Sequence, residues 1–394
     1  MLYTICQDAL EREIAQLGVY KPSIDILAAK GRVTPLKVTG VRTPAANIIK
    51  QEMLAAGGDC ATPGTAITCA VPRVDIILLG GRKQYAILLY KLKQMPYFGI
   101  PDIVGELEAY LGRQPKCTVL ADGRRLTYGQ MAVMGIINVT PDSFYAGSRR
   151  QGTDAVLAQA EKMLAGGAAV LDIGGESTRP GSDPVTAEEE RSRVLPAVEA
   201  VKRHFPEAVV SVDTYRAALA REAMACGGDI INDISAMQAD EGMLSAVVDT
   251  QAPVILMHMR GVPKNMQSRC RYDNVVQEVA AYLLERAQLL QKHGVGPDKV
   301  LLDPGIGFAK DKDQNLQLIQ GLEALTGTAY PVLMAASRKT VVGQVLGGLP
   351  AEERLEGTLA ISAASVYAGA DMVRVHDVKE NVRLIRMLEA IRRA

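Results

Sequence analysis

Arg374 and His376 stand two residues apart in the segment D-M-V-R-V-H-D. On a β-strand that spacing turns both side chains to one face and leaves Val373 and Val375 on the other. With Lys339, in S-R-K, they form a set of donors suited to a phosphate or diphosphate, and Arg179 could close over the same anion as a guanidinium clamp. Asp213, Asn232 and Asp303 have the opposite character. Carboxylates accept from ring N–H and amino groups, an Asn side chain reads one donor and one acceptor, and Lys339 can meet a ring carbonyl. That is the complement of a neutral heterocycle with an amino group and a lactam. Met257 and Phe308 would give it flat apolar walls.

Each of these residues ends a β-rich run or lies just beyond one. The runs are 133–139, 169–175, 208–214, 229–235, 253–259, 299–305, 331–337 and 371–377, with helical segments between them. In one such segment Thr186 and Glu189 have capping-box spacing; in another, from Asn274, apolar residues recur at three and four. Eight strand-then-helix units in about 260 residues spell a (β/α)8 TIM barrel, whose active site lies at the C-terminal strand ends. A doubly wound sheet would call for a Gly-rich dinucleotide fingerprint after its first strand, and the sequence has none. Polar residues around the whole ring of strand ends are costly to bury without partners, which points to a ligand. Singly, Asp213 could cap a helix and Asp233 could anchor a loop.

Residues 1–125 read as a smaller α/β N-terminal domain, with strands at 36–40 and 74–80, and residues 126–394 as the barrel. A hairpin around Asp122-Gly123 leads from one to the other. No cluster of acids, histidines or glycines in the first domain suggests chemistry.

Composition narrows the partners. Lys plus Arg and Asp plus Glu are both 44 in 394 residues, so the formal net charge is zero and no field favours nucleic acid or an anionic membrane. Small molecules are the expected partners. Charged residues break every long apolar stretch, and the expectation is a soluble, cytoplasmic protein. The six cysteines form no C-x-x-C pair and read as single buried thiols.

N-V-T-P-D-S-F, G-G-E-S-T-R-P-G, D-P-G-I-G-F, S-R-K and R-V-H-D-V, in this order on these strands, resemble the dihydropteroate synthase family from Met134 to the C-terminus. The resemblance implies condensation of 6-hydroxymethyl-7,8-dihydropterin diphosphate with p-aminobenzoate, assisted by Mg2+, and a homodimer. It implies that Asp213, Asn232, Asp303, Lys339 and Met257 hold the pterin. Asn138, Arg179, Arg374 and His376 hold the diphosphate, with Asn138 also at the metal. Thr178, Arg179, Phe308 and Ser337 surround p-aminobenzoate. Asp303, Lys339, Arg374 and His376 carry the catalysis. The first loop departs from the family, with Tyr145-Ala146-Gly147-Ser148 where Ser-Asp-Gly-Gly is usual. Two other readings are a pterin-binding methyltransferase acting on methyltetrahydrofolate, which has no use for a diphosphate clamp, and a non-catalytic folate-binding scaffold, which has no use for an intact polar ring.

Overall fold

The computed structural model describes residues 2–139, 149–176, 185–261 and 266–393. The chain divides into two compact units, Met1–Gln114 with Arg392–Ala394, and Pro115–Ile391.

In the first unit an antiparallel sheet is built from β1 (Thr34–Arg42), β2 (Asp59–Ala61) and β3 (Arg73–Gly80), in the order β1-β3-β2. β1 and β3 contain the two strands expected there; β2, three residues long, is too short to show a period. Along β3 burial alternates strictly, so Val74, Ile76 and Leu78 face a core shared with Ile49, Met53, Tyr85 and Leu88 of the helices Thr43–Ala55 and Arg82–Leu92.

The second unit opens with a hairpin, β4 (Cys117–Val119) and β5 (Arg125–Thr127), turning through Gly123 at φ +87°. Eight parallel strands follow: β6 (Ala132–Asn138), β7 (Val170–Gly174), β8 (Val210–Asp213), β9 (Ile230–Asp233), β10 (Val254–Met257), β11 (Val300–Asp303), β12 (Leu333–Met334) and β13 (Met372–Val375). They pair in ring order, β13 returns to β6, and a parallel bridge between Leu302 and Val332 closes β11 onto β12. Seven lie within the expected runs, and β6 starts one residue ahead of its own. Thr186 caps the helix Ala187–His204 through Glu189, and Asn274 caps Val275–Lys292.

The boundary falls before the hairpin rather than near residue 126 as the sequence suggested. Leu120, 1% exposed, seats in the apolar layer at the N-terminal end of the barrel with Met134, Ile230, Ile255, Leu301, Leu333 and Met372. Lys116 bonds Asp371 at 3.0 Å and Arg124 bonds Asp229 at 2.5 Å. A hairpin that plugs the barrel floor belongs to the barrel.

The cysteine expectation holds for one residue only. Cys60 is buried, while Cys6 and Cys69 are exposed and Cys117, Cys226 and Cys270 lie between. Among the described residues no helix is long and apolar enough to cross a membrane.

Candidate active site

Above its apolar floor the barrel interior turns polar. Asp172 on β7, fully buried, accepts from Arg374 Nε at 2.6 Å and lies 3.3 Å from Asn232 Nδ2. A second guanidinium nitrogen of Arg374 donates to Asp213 at 2.7 Å. Register explains the convergence, since Asp213 pairs with both Gly174 and Asn232, and residues two apart on β7 and β8 share the interior face. A Cβ at Gly174 would stand 3.3 Å from the Asp213 Cβ, a tight contact.

Burial works against the charge of Arg374, but Asp172 and Asp213 outweigh it and keep the guanidinium protonated. Burial pushes Asp213 up to about 7, with Arg374 opposing the rise and Asp172 adding to it. Arg374, read from the sequence as one of two donors to an anion, is thus also held by carboxylates. It is the central cation of an acidic ring, and the bonds above use its Nε and one terminal nitrogen.

Asp303, 3% exposed, ends β11 in register with Met257 of β10. Burial raises its pKa, with Lys339 and the Gly305 N–H, at 2.7 Å, opposing. The turn beyond it is set by Gly305 and Gly307, at φ +68° and +85°; a Cβ on Gly305 would overlap the carbonyl of His258. This geometry brings the Ile306 carbonyl to Lys339 Nζ at 2.6 Å and lays the Phe308 ring 4.7 Å from the same ammonium. Burial draws Lys339 down to about 8 against the pull of Asp303. Met257 and Phe308 join Ile234, Met266 and Ala309 in an apolar cluster separate from the floor.

Ser337, 7% exposed, shares a 3.0 Å hydrogen bond with His376 Nδ1, and its Oγ accepts from the His376 N–H at 3.2 Å. His376 thus turns toward Ser337, while Arg374 enters the acidic ring. Asn138, exposed at the end of β6, pairs with Gly174. Thr178 and Arg179, and the departing segment Tyr145–Ser148, lie outside the described residues.

Supporting groups complete the ring. Asp233, fully buried, accepts from Ser235 N at 2.8 Å and Met237 N at 2.6 Å, and so anchors the loop after β9. Arg216 bonds Glu176 at 2.8 Å and the Val185 carbonyl at 2.7 Å, and also bonds the buried Glu190. It thereby ties the residues flanking 177–184. Reading the sequence by strand ends missed Asp172, Arg216 and Lys310, whose ammonium bonds the carbonyls of Gly305 and Phe308 at 2.9 and 2.8 Å. Asp172 carried a usable signal, as a lone acid inside V-L-D-I-G, where a barrel core calls for apolar residues.

Among the described residues no three His, Cys, Asp or Glu side chains meet as a cation cage. A Mg2+ held mainly by diphosphate oxygens and water needs only one or two protein oxygens, and the exposed Asn138 amide at the barrel mouth fits that demand.

Residues 134–376 match the model of the pterin binding enzyme family. Over 272 residues the chain is 42% identical to the dihydropteroate synthase of Escherichia coli, covering 69% of this chain and 95% of that one. The chain belongs to the dihydropteroate synthase family. Its barrel is similar to the crystal structure of the Burkholderia cenocepacia dihydropteroate synthase complexed with 7,8-dihydropteroate, with a TM-score of 0.63 and 39% identity over 71% of this chain and 97% of that one. The match to a probable bifunctional folylpolyglutamate synthase/dihydropteroate synthase of Halobacterium salinarum runs over 386 residues at 36% identity, which is 98% of this chain and 46% of that one. The first unit therefore has a counterpart within the family, beyond the shorter bacterial synthases.

Proposed function

We infer that the barrel joins 6-hydroxymethyl-7,8-dihydropterin diphosphate to p-aminobenzoate, releasing diphosphate and 7,8-dihydropteroate. The observation that carries this reading is the polar layer of Asp172, Asp213, Asn232, Asp303 and Arg374 above an apolar floor. Asp213 and Asn232, with Asp303, meet the donor edge of the pterin, Lys339 its ring carbonyl, and Met257 its face. Arg374 and His376, with Arg179, take the diphosphate. Phe308 and Ser337, with Thr178 and Arg179, border the p-aminobenzoate.

The acidic ring suits a reaction that develops positive charge on the pterin as its C–O bond breaks. Asp303, buried beside the ring, would stabilise that charge, and Arg374 would take up the negative charge that develops on the leaving oxygen. An aniline nitrogen is a weak nucleophile and is served best by a carbon already cationic. Asn138 would hold Mg2+, whose contribution is to neutralise charge on the diphosphate. From the family resemblance we also propose a cytoplasmic homodimer.

The test is product formation by the purified chain supplied with the pterin diphosphate and Mg2+, with and without p-aminobenzoate. Appearance of 7,8-dihydropteroate together with diphosphate supports the reading; diphosphate release without the condensed product refutes it.

A further inference from the structure

Lys310 is 3% exposed, and its ammonium donates to the Phe308 carbonyl at 2.8 Å, the Gly305 carbonyl at 2.9 Å and Nδ1 of His258 at 3.0 Å. None of these acceptors is a carboxylate. Its three donors face these three acceptors, with the His258 carbonyl a fourth, longer contact at 3.4 Å, so the head group is satisfied by direction rather than by ion pairing. Burial draws Lys310 down to about 7, with Asp303 opposing. His258, 2% exposed, is drawn down to about 2 by burial and by Lys310, and it sits edge-on to the Tyr282 ring at 4.9 Å. It is therefore a neutral imidazole that offers Nδ1 as acceptor.

An apolar side chain would fill this space without desolvating a charge. What the lysine adds is a cross-tie between two strand ends. It joins the residue after β10 to two carbonyls of the turn after β11, while Lys339 takes the intervening carbonyl of Ile306 at 2.6 Å. The Tyr272 hydroxyl holds Ala309 at 3.0 Å, and Asn315 Oδ1 holds the Gly307 N–H at 2.7 Å. The two ends of the turn depend on Lys310 unequally. Asp303 belongs to β11 and keeps its place through pairing with Met257. Phe308 has no strand to hold it, and its carbonyl is a direct partner of Lys310.

We propose that Lys310 is a positioning residue for the acceptor half of the condensation, holding the turn after β11 so that the Phe308 ring stands against Lys339 as a wall for p-aminobenzoate. This rests on the reading of the barrel given above. Lys310 touches neither substrate.

The test compares the full-length parent with K310Q and K310R. Glutamine removes the cation, and arginine keeps it but cannot place one nitrogen among three acceptors. Calorimetry with the pterin diphosphate gives the dissociation constant on the pterin side, and steady-state rates give KM for p-aminobenzoate. A displaced Phe308 should raise that KM about tenfold or more while the pterin constant stays within about threefold. Thermal melting selects the variants that are folded, and K310R supplies the comparison if K310Q is not. The proposal is overturned if, in a folded variant, both constants move together or neither moves. A parent that makes no 7,8-dihydropteroate refutes the functional reading instead, so the two failures remain distinct.

Discussion

Replacing Arg374 with alanine separates the two things this residue does. Among the described residues it is the only cation bonded to Asp172, which is fully buried, and to Asp213, whose side chain is 10% exposed. Without it two carboxylates face each other in the barrel, and breaking a buried pair in this way costs about 3–5 kcal/mol. For a domain of this size that is a fall in Tm of roughly 6–20 °C. The loss must depend on pH. Asp213 already titrates at about 7 with Arg374 opposing the rise, so it titrates higher still once the guanidinium is gone. A carboxyl whose folded pKa is raised contributes its full stability below the unfolded value of 3.8 and loses it as pH rises through the folded value. The variant's deficit should therefore be largest near about pH 8 and shrink toward about pH 5, as scanning calorimetry of both proteins would record. A deficit below about 1 kcal/mol, or one equal at the two pH values, refutes the acidic ring as the reason for the residue. On the functional side, the variant should bind the pterin diphosphate far more weakly while affinity for the pterin alcohol changes less; equal losses would contradict the anion role.

Other sites give independent checks. Gly305→Ala places a methyl group against the His258 carbonyl at a residue with φ +68°, so it should lower Tm and raise KM for p-aminobenzoate; an unchanged protein on both measures would mean the turn is not set by that contact. Leu120→Ala should cost about 2–5 kcal/mol in denaturant unfolding, as deletion of a buried leucine does. A change below about 1 kcal/mol would show that the hairpin does not plug the barrel floor.

How legible the site was depends on where each residue sits along its strand. All eight barrel strands could be counted because parallel strands buried on both faces are continuous apolar runs, and their ends are marked by abrupt polar residues such as Asp213, Asp233 and Asp303. The same rule hid Asp172. It lies mid-strand, two residues before Gly174, and attention to strand ends passes over it, although a carboxylate there needs a partner as much as one at the mouth does. That partner is Arg374, with a sequence separation of 202 residues that no local pattern spans. The spacing of Arg374 and His376 suggested one shared strand face, but the strand ends at Val375 and the two side chains take different partners, Arg374 the carboxylates of Asp172 and Asp213 and His376 the hydroxyl of Ser337. Lys310 and Arg216 were hidden for separate reasons. Lys310 acts largely through the carbonyls of Gly305 and Phe308, and a carbonyl acceptor carries no residue type for a motif to record, while Arg216 pairs with Glu176 and Glu190, 40 and 26 residues away in sequence. Residues that shape a site through the main chain are thus the part of an active site that sequence reveals least.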